Sequence, residues 1–131
     1  MRIILRGLVG LISLLMLAIA VSVWADPVKF PASLGLAPMD ALGRATMRAD
    51  LGAFFAVVGG FGLLGAVRDS RRLMTAPLAL SALALAARGF TAAVEGFEPQ
   101  MAQPMVVETV MVLLYGAGRR VFRNGEGRSP G

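Results

Sequence analysis

Four stretches of this chain run long without a charge, and their spacing sets the expected architecture. Residues 7–25 are uncharged and preceded by Arg2 and Arg6. That length is close to the ~20 residues needed to cross a hydrocarbon layer ~30 Å thick. Residues 51–67 form a second uncharged run, extended at its front by 45–50. Residues 73–94 form a third, interrupted only by Arg88, and 101–118 a fourth, interrupted only by Glu108. These runs are apolar all round, whereas each helix of a soluble bundle keeps one wet face. Period-two alternation is absent, which argues against a transmembrane barrel. A two-span reading would strand two apolar runs without partners. The pattern predicts an all-α chain: an integral membrane four-helix bundle with spans over 5–25, 46–67, 73–95 and 101–118, forming one domain over 1–123.

Three segments need separate reading. Arg2, Arg6, the apolar run and Val23-Trp24-Ala25 are also the ingredients of a secretory signal with a small-residue cleavage site. The run exceeds the 7–15 apolar residues usual in such signals and Pro27 follows the would-be cut, so an uncleaved first helix is favoured. The link over 26–45 holds Pro27, Pro31 and Pro38, which discourage a continuous helix, while Phe30, Leu34, Leu36 and Met39 keep it apolar. It reads either as a loop lying on the bilayer surface or as a cap over a cavity between the helices. Residues 124–131 are Gly, Ser, Pro, Asn and charge, the composition of a disordered tail, here cytoplasmic.

Composition agrees with the membrane reading: the chain is 56% hydrophobic and only 16% charged. It has no His and no Cys, which excludes thiol chemistry, Cys/His zinc sites and a Ser-His-Asp triad. Charge placement then orients the spans. Nine of the 13 basic residues lie before the first span, between the second and third, or after the fourth: Arg2, Arg6, Arg68, Arg71, Arg72, Arg119, Arg120, Arg123 and Arg128. The positive-inside rule puts both termini in the cytoplasm (N-in/C-in), as four alternating spans also require. The expected location is the bacterial inner (plasma) membrane, multi-pass. Nucleic acid is not an expected partner, because the arginines flank helices in the manner of cytoplasmic anchors.

Two features concern packing and chemistry at depth. Gly52, Ala56 and Gly60 recur at intervals of four on the second span, and Gly59, Gly62 and Gly65 at intervals of three. Small residues at these spacings let neighbouring backbones approach, which predicts a central helix. Arg48, Asp50, Arg88, Glu95 and Glu108 are the candidate polar cluster, since charges inside a bilayer persist when paired, hydrated or used. From the helical rise, Arg88 and Glu108 lie about 9 and 10 Å deep, Asp50 about 6 Å and Arg48 about 3 Å, all in one half of the layer. Ser81, Arg88 and Glu95 are seven apart on one face, and so are Met101, Glu108 and Tyr115. The expected pair is Arg88 with Glu108, with Asp50 as a third member.

The run Met47-Arg48-Ala49-Asp50-Leu51-Gly52-Ala53-Phe54-Phe55 resembles the opening of the second helix in the DUF4345 family of small four-span bacterial membrane proteins. Ala87-Arg88-Gly89, Glu95-Gly96 and Glu108 are similar to that family's remaining motifs, in the same order. The family pattern commonly has Asp-Gly where this chain has Glu95-Gly96. The resemblance covers roughly 44–120 and implies a fold and candidate residues, not a reaction.

The function classes follow in order. First comes a structural or accessory subunit packing against other membrane proteins or a second copy of the chain. The alternatives are a small proton-linked transporter using Glu108 or Asp50, and a lipid- or quinone-binding protein with methionines near Glu108 lining the site. An enzyme comes last, for want of any nucleophile, base or metal constellation. No catalytic residue, metal or cofactor is expected, and the lipid bilayer is the expected surrounding.

Overall fold

A computed structural model describes residues 1–37 and 40–123, and their regular structure is helical. The expectations for Pro38, Met39, Arg128 and the 124–131 tail lie outside the described residues. Helix α1 spans Arg2–Ala25, α2 Lys29–Ser33, α3 Ala41–Arg68, α4 Arg72–Glu95 and α5 Pro99–Val121. Four of them, all but α2, are long and apolar enough to cross a membrane. Each extends a few residues beyond its apolar run, because polar residues continue a helix where no breaker intervenes.

The ends of the helices have local causes. α1 stops at Asp26, which is extended and precedes Pro27. The Asp26 carboxylate accepts from the backbone N–H of Val28 at 3.0 Å and of Lys29 at 3.3 Å, starting α2 at once. The link is therefore only partly irregular: α2 occupies 29–33 and α3 begins at Ala41, five residues before the expected start. Asp40 caps α3 by accepting from the Gly43 N–H at 2.8 Å. Over Met47–Leu51, α3 winds as one π turn before resuming as α-helix at Gly52. It ends at Asp69 in the left-handed region, φ 53°, a conformation that Asp tolerates better than most residues. Gly96, at φ 101°, ends α4 where a side chain would be strained.

The helices form a ring in which α1 packs on α3, α3 on α4, α4 on α5 and α5 on α1, with the tightest contact between α1 and α3. That contact is antiparallel and tied at both ends. Arg6, at the start of α1, donates to the carbonyls of Ala66 and Val67 at 2.7 and 2.8 Å. Arg48, two turns into α3, donates to Trp24 O at 2.9 Å. Along the middle, glycines let the backbones meet. A methyl group at Gly59 would lie 2.8 Å from Leu17 N and Ser13 O. Beside it, the Ser13 and Tyr115 hydroxyls share a buried hydrogen bond of 2.9 Å, and a methyl group at Gly62 would strike the Tyr115 ring. The core around them includes Val9, Met16, Val58, Met74, Met111 and Tyr115.

The expected packing row is corrected here. Gly52 is buried against Trp24, but Ala56 is exposed and a methyl group at Gly60 would have no neighbour within 4 Å. An i+4 row drifts about 40° around a helix at each step, so Ala56 and Gly60 rotate away from α1. Gly52, Gly59, Gly62 and Ala66 stay within one sector and make the contact.

Candidate functional site

The α4–α5 hairpin brings two charges level. Arg88 lies seven residues before the end of α4, and Glu108 seven residues after Met101 near the start of α5. Both are therefore about 10 Å from the same turn. Arg88 Nε donates to Glu108 Oε1 at 3.0 Å and to Oε2 at 2.9 Å. The Glu108 side chain is 10% exposed and that of Arg88 33%, so the carboxylate is enclosed and the guanidinium reaches outward. Among the described residues, the two Nη groups of Arg88 find no acceptor.

The other three members of the expected cluster do not join this pair. Arg48 is turned to the α1 terminus, where its Nε satisfies the Trp24 carbonyl left open by helix termination. Asp50, in the π turn of α3, is exposed and makes no hydrogen bond or ion pair with the described residues. Glu95, the last residue of α4, is exposed beyond the packed part of the bundle. Helical rise puts Arg48, Asp50, Arg88 and Glu108 in one half of the layer. Angular position around the helices separates them, and one dimension of spacing does not contain it.

Arg88 and Glu108 form part of the wall of a cavity of about 240 Å³. Met16 and Ile19 of α1, Phe54 and Phe55 of α3, and Val107 and Met111 of α5 supply its apolar surface. Gln103 and Ser33 add polar groups near one end. Phe30, Ser33 and Leu34, in and just after α2, partly cover it at the end opposite Arg2 and Arg123. Aromatic contacts hold α2 in place: the rings of Phe30 and Phe55 meet edge to face at 5.5 Å, as do those of Phe54 and Phe55 at 5.2 Å. Part of the link is thus a short helix that lies over this cavity.

Several of these residues carried no distinct signal in the sequence. Ser13, Ser33 and Gln103 are ordinary polar residues in or beside apolar runs, and spacing does not tell which neighbour each one meets. Asp69 was likewise unmarked. Its carboxylate pairs with Arg2 Nε at 3.3 Å and Arg123 Nε at 3.7 Å, and accepts from the Arg123 N–H at 3.3 Å. Asp69 thus ties the first helix, the α3–α4 link and the end of α5 at one end of the bundle.

Among the described residues, no three His, Cys, Asp or Glu side chains gather where they could hold a metal ion. No family model, no curated protein and no solved structure matches this chain. The chemistry of the site is therefore read from its geometry alone.

Proposed function

We propose that this chain is a bacterial inner-membrane protein, N-in and C-in, that binds a carbonyl-bearing amphiphile in the cavity under α2. One observation carries the reading: Arg88, with Nη donors free of the described residues, lines an otherwise largely apolar cavity partly covered by a short helix. A ligand carbonyl meets those donors, and its ring or short chain lies among Met16, Phe54, Phe55 and Met111. The size is suitable, since an apolar cavity of about 150 Å³ holds benzene. Glu108 neutralises and aims the guanidinium, so a neutral head group suits the site. Quinones and fatty-acyl lipids share this chemistry. The motif residues of the DUF4345 resemblance include both Arg88 and Glu108, and membership of that family is part of the same proposal.

The test is calorimetry on the detergent-extracted chain with a short-chain quinone and with a medium-chain fatty ester. Saturable binding of one of them is expected, weakened about tenfold or more in Arg88→Gln by loss of a charge-assisted hydrogen bond. Val107→Trp, which fills the cavity, is expected to abolish it. No binding of either probe, or binding indifferent to Val107→Trp, overturns the reading.

A second reading, as an accessory subunit, is favoured by the outer faces of α3 and α4. Ala56 is exposed, Gly60 is half-buried with open space beside it, and α4 fully buries only Met74, Pro77 and Ser81. Gentle extraction followed by native electrophoresis is expected to show a larger assembly on this reading, and migration of the chain alone counts against it.

A further inference from the structure

The end of the bundle that holds the start of α1 and the end of α5 is crowded with arginine. Arg2, Arg6, Arg68, Arg71, Arg72, Arg119, Arg120 and Arg123 lie there, and Asp69 is the one acid among the described residues at that end. Asp69 is taken by Arg2 and Arg123. Arg6 is also engaged, on the carbonyls that end α3. Three of the remaining arginines, Arg71, Arg119 and Arg120, are among the residues that line one groove between α4 and α5. None of the three side chains makes a hydrogen bond or ion pair with the described residues.

Below these arginines the groove is apolar. Leu78 of α4 and Leu113 of α5 form its sides, and Gly116 leaves it open, since a methyl group there would meet only Leu78 Cδ1 at 3.8 Å. The groove measures about 430 Å³ and runs along the helices from the charged end toward the middle of the bundle. A group of arginines without partners among the described residues, over an open apolar groove between two spans, matches a phosphate joined to an acyl chain. Arginine suits phosphate oxygens through its planar fork of donors. Basic pockets between spans on the cytoplasmic side are places where anionic head groups bind. The groove between α1 and α3 offers a contrast: it is larger, but its one arginine, Arg6, is committed to backbone carbonyls.

We propose that the groove formed by Arg71, Arg119, Arg120, Leu78, Leu113 and Gly116 is a binding site for one anionic phospholipid, of the phosphatidylglycerol or cardiolipin class. The site rests on the membrane reading of the chain but not on the cavity under α2, from which it is separate.

The experiment uses the full chain, extracted gently and examined by native mass spectrometry and by thermal unfolding in mixed micelles. Wild type is expected to retain anionic phospholipid in preference to phosphatidylcholine. Its melting temperature is expected to rise with phosphatidylglycerol and to rise less at high salt. Arg71→Gln/Arg119→Gln/Arg120→Gln and Gly116→Leu are each expected to remove the preference, the first by taking the charge and the second by filling the channel. Arg68→Gln, at the same end but outside the groove, and Val107→Trp, in the cavity under α2, are expected to leave it intact. An equal loss in Arg68→Gln would reveal a diffuse charge effect and overturn the site. An equal rise with inorganic phosphate would overturn the role of the acyl chain, and equal retention of phosphatidylcholine by wild type would overturn the proposal even if the triple variant fails to fold.

Discussion

Truncating one partner of the Arg88–Glu108 pair leaves the other charge in a wall of methionine and phenylalanine. Complete burial would make such a loss cost about 3–5 kcal/mol. Arg88 is a third exposed, so solvent or head groups recover part of that, and about 1–3 kcal/mol is expected for Arg88→Ala or Glu108→Gln. Because the two groups serve each other, the double variant is expected to lose less than the sum, with a coupling of about 0.5–3 kcal/mol. Unfolding of the four proteins in one detergent measures the cycle, and strict additivity would contradict the contact. The level placement of these residues was legible from their equal distance to one turn. The exclusion of Asp50 and Glu95 was not, because residue spacing gives height along a helix and only the assembled bundle gives the angle that each helix turns to its neighbours.

At the scale of the element, α3 shows how shape selects a face. Every side of this helix is apolar, so hydrophobicity does not distinguish the packed side from the outer one. In lipid, helices associate through close packing and polar contacts rather than through burial of oily surface. Glycines under α1 are thereby decisive and those on the outside are not. Gly59→Ala would push a methyl group into the backbone of α1, at Leu17 N and Ser13 O, and is expected to destabilise by about 1–3 kcal/mol. Gly60→Ala meets open space and is expected to stabilise by up to about 1 kcal/mol through helix propensity. Melting temperatures of the two variants should therefore move in opposite directions, and a matched loss in both would place Gly60 in a contact with another chain. The two small-residue rows were both visible in the sequence. The contact takes Gly52 from one row and Gly59 and Gly62 from the other, because each row drifts by tens of degrees per step.

At the scale of the whole molecule, α1 belongs to the structure of the others. It supplies Val9 and Met16 to the core, one wall of the cavity under α2, and the hydroxyl that meets Tyr115. A cleaved first helix would take these away, so the mature protein is expected to keep it. The ties among Arg2, Asp69 and Arg123 set the start of α1 and the residues just after α5 beside the α3–α4 link. Reporter tags on residues 1 and 131 are therefore expected to be reachable from the same compartment, the cytoplasm. Accessibility of one tag from each side would overturn the four-span arrangement, and loss of residues 1–25 on maturation would show up as a smaller product carrying only the C-terminal tag.

The count of long helices, their approximate limits and the concentration of arginine at one end follow from the chain alone, because charge and length act along a single dimension. The common height of Arg88 and Glu108 is of the same kind. Only the tertiary structure decided which side of α3 meets α1, that Arg48 turns to a helix end, and that α2 lies over a cavity. These are angular and steric outcomes, and where every surface of a helix is apolar, rotation is chosen by the fit of glycine against backbone and of one hydroxyl or charge against another.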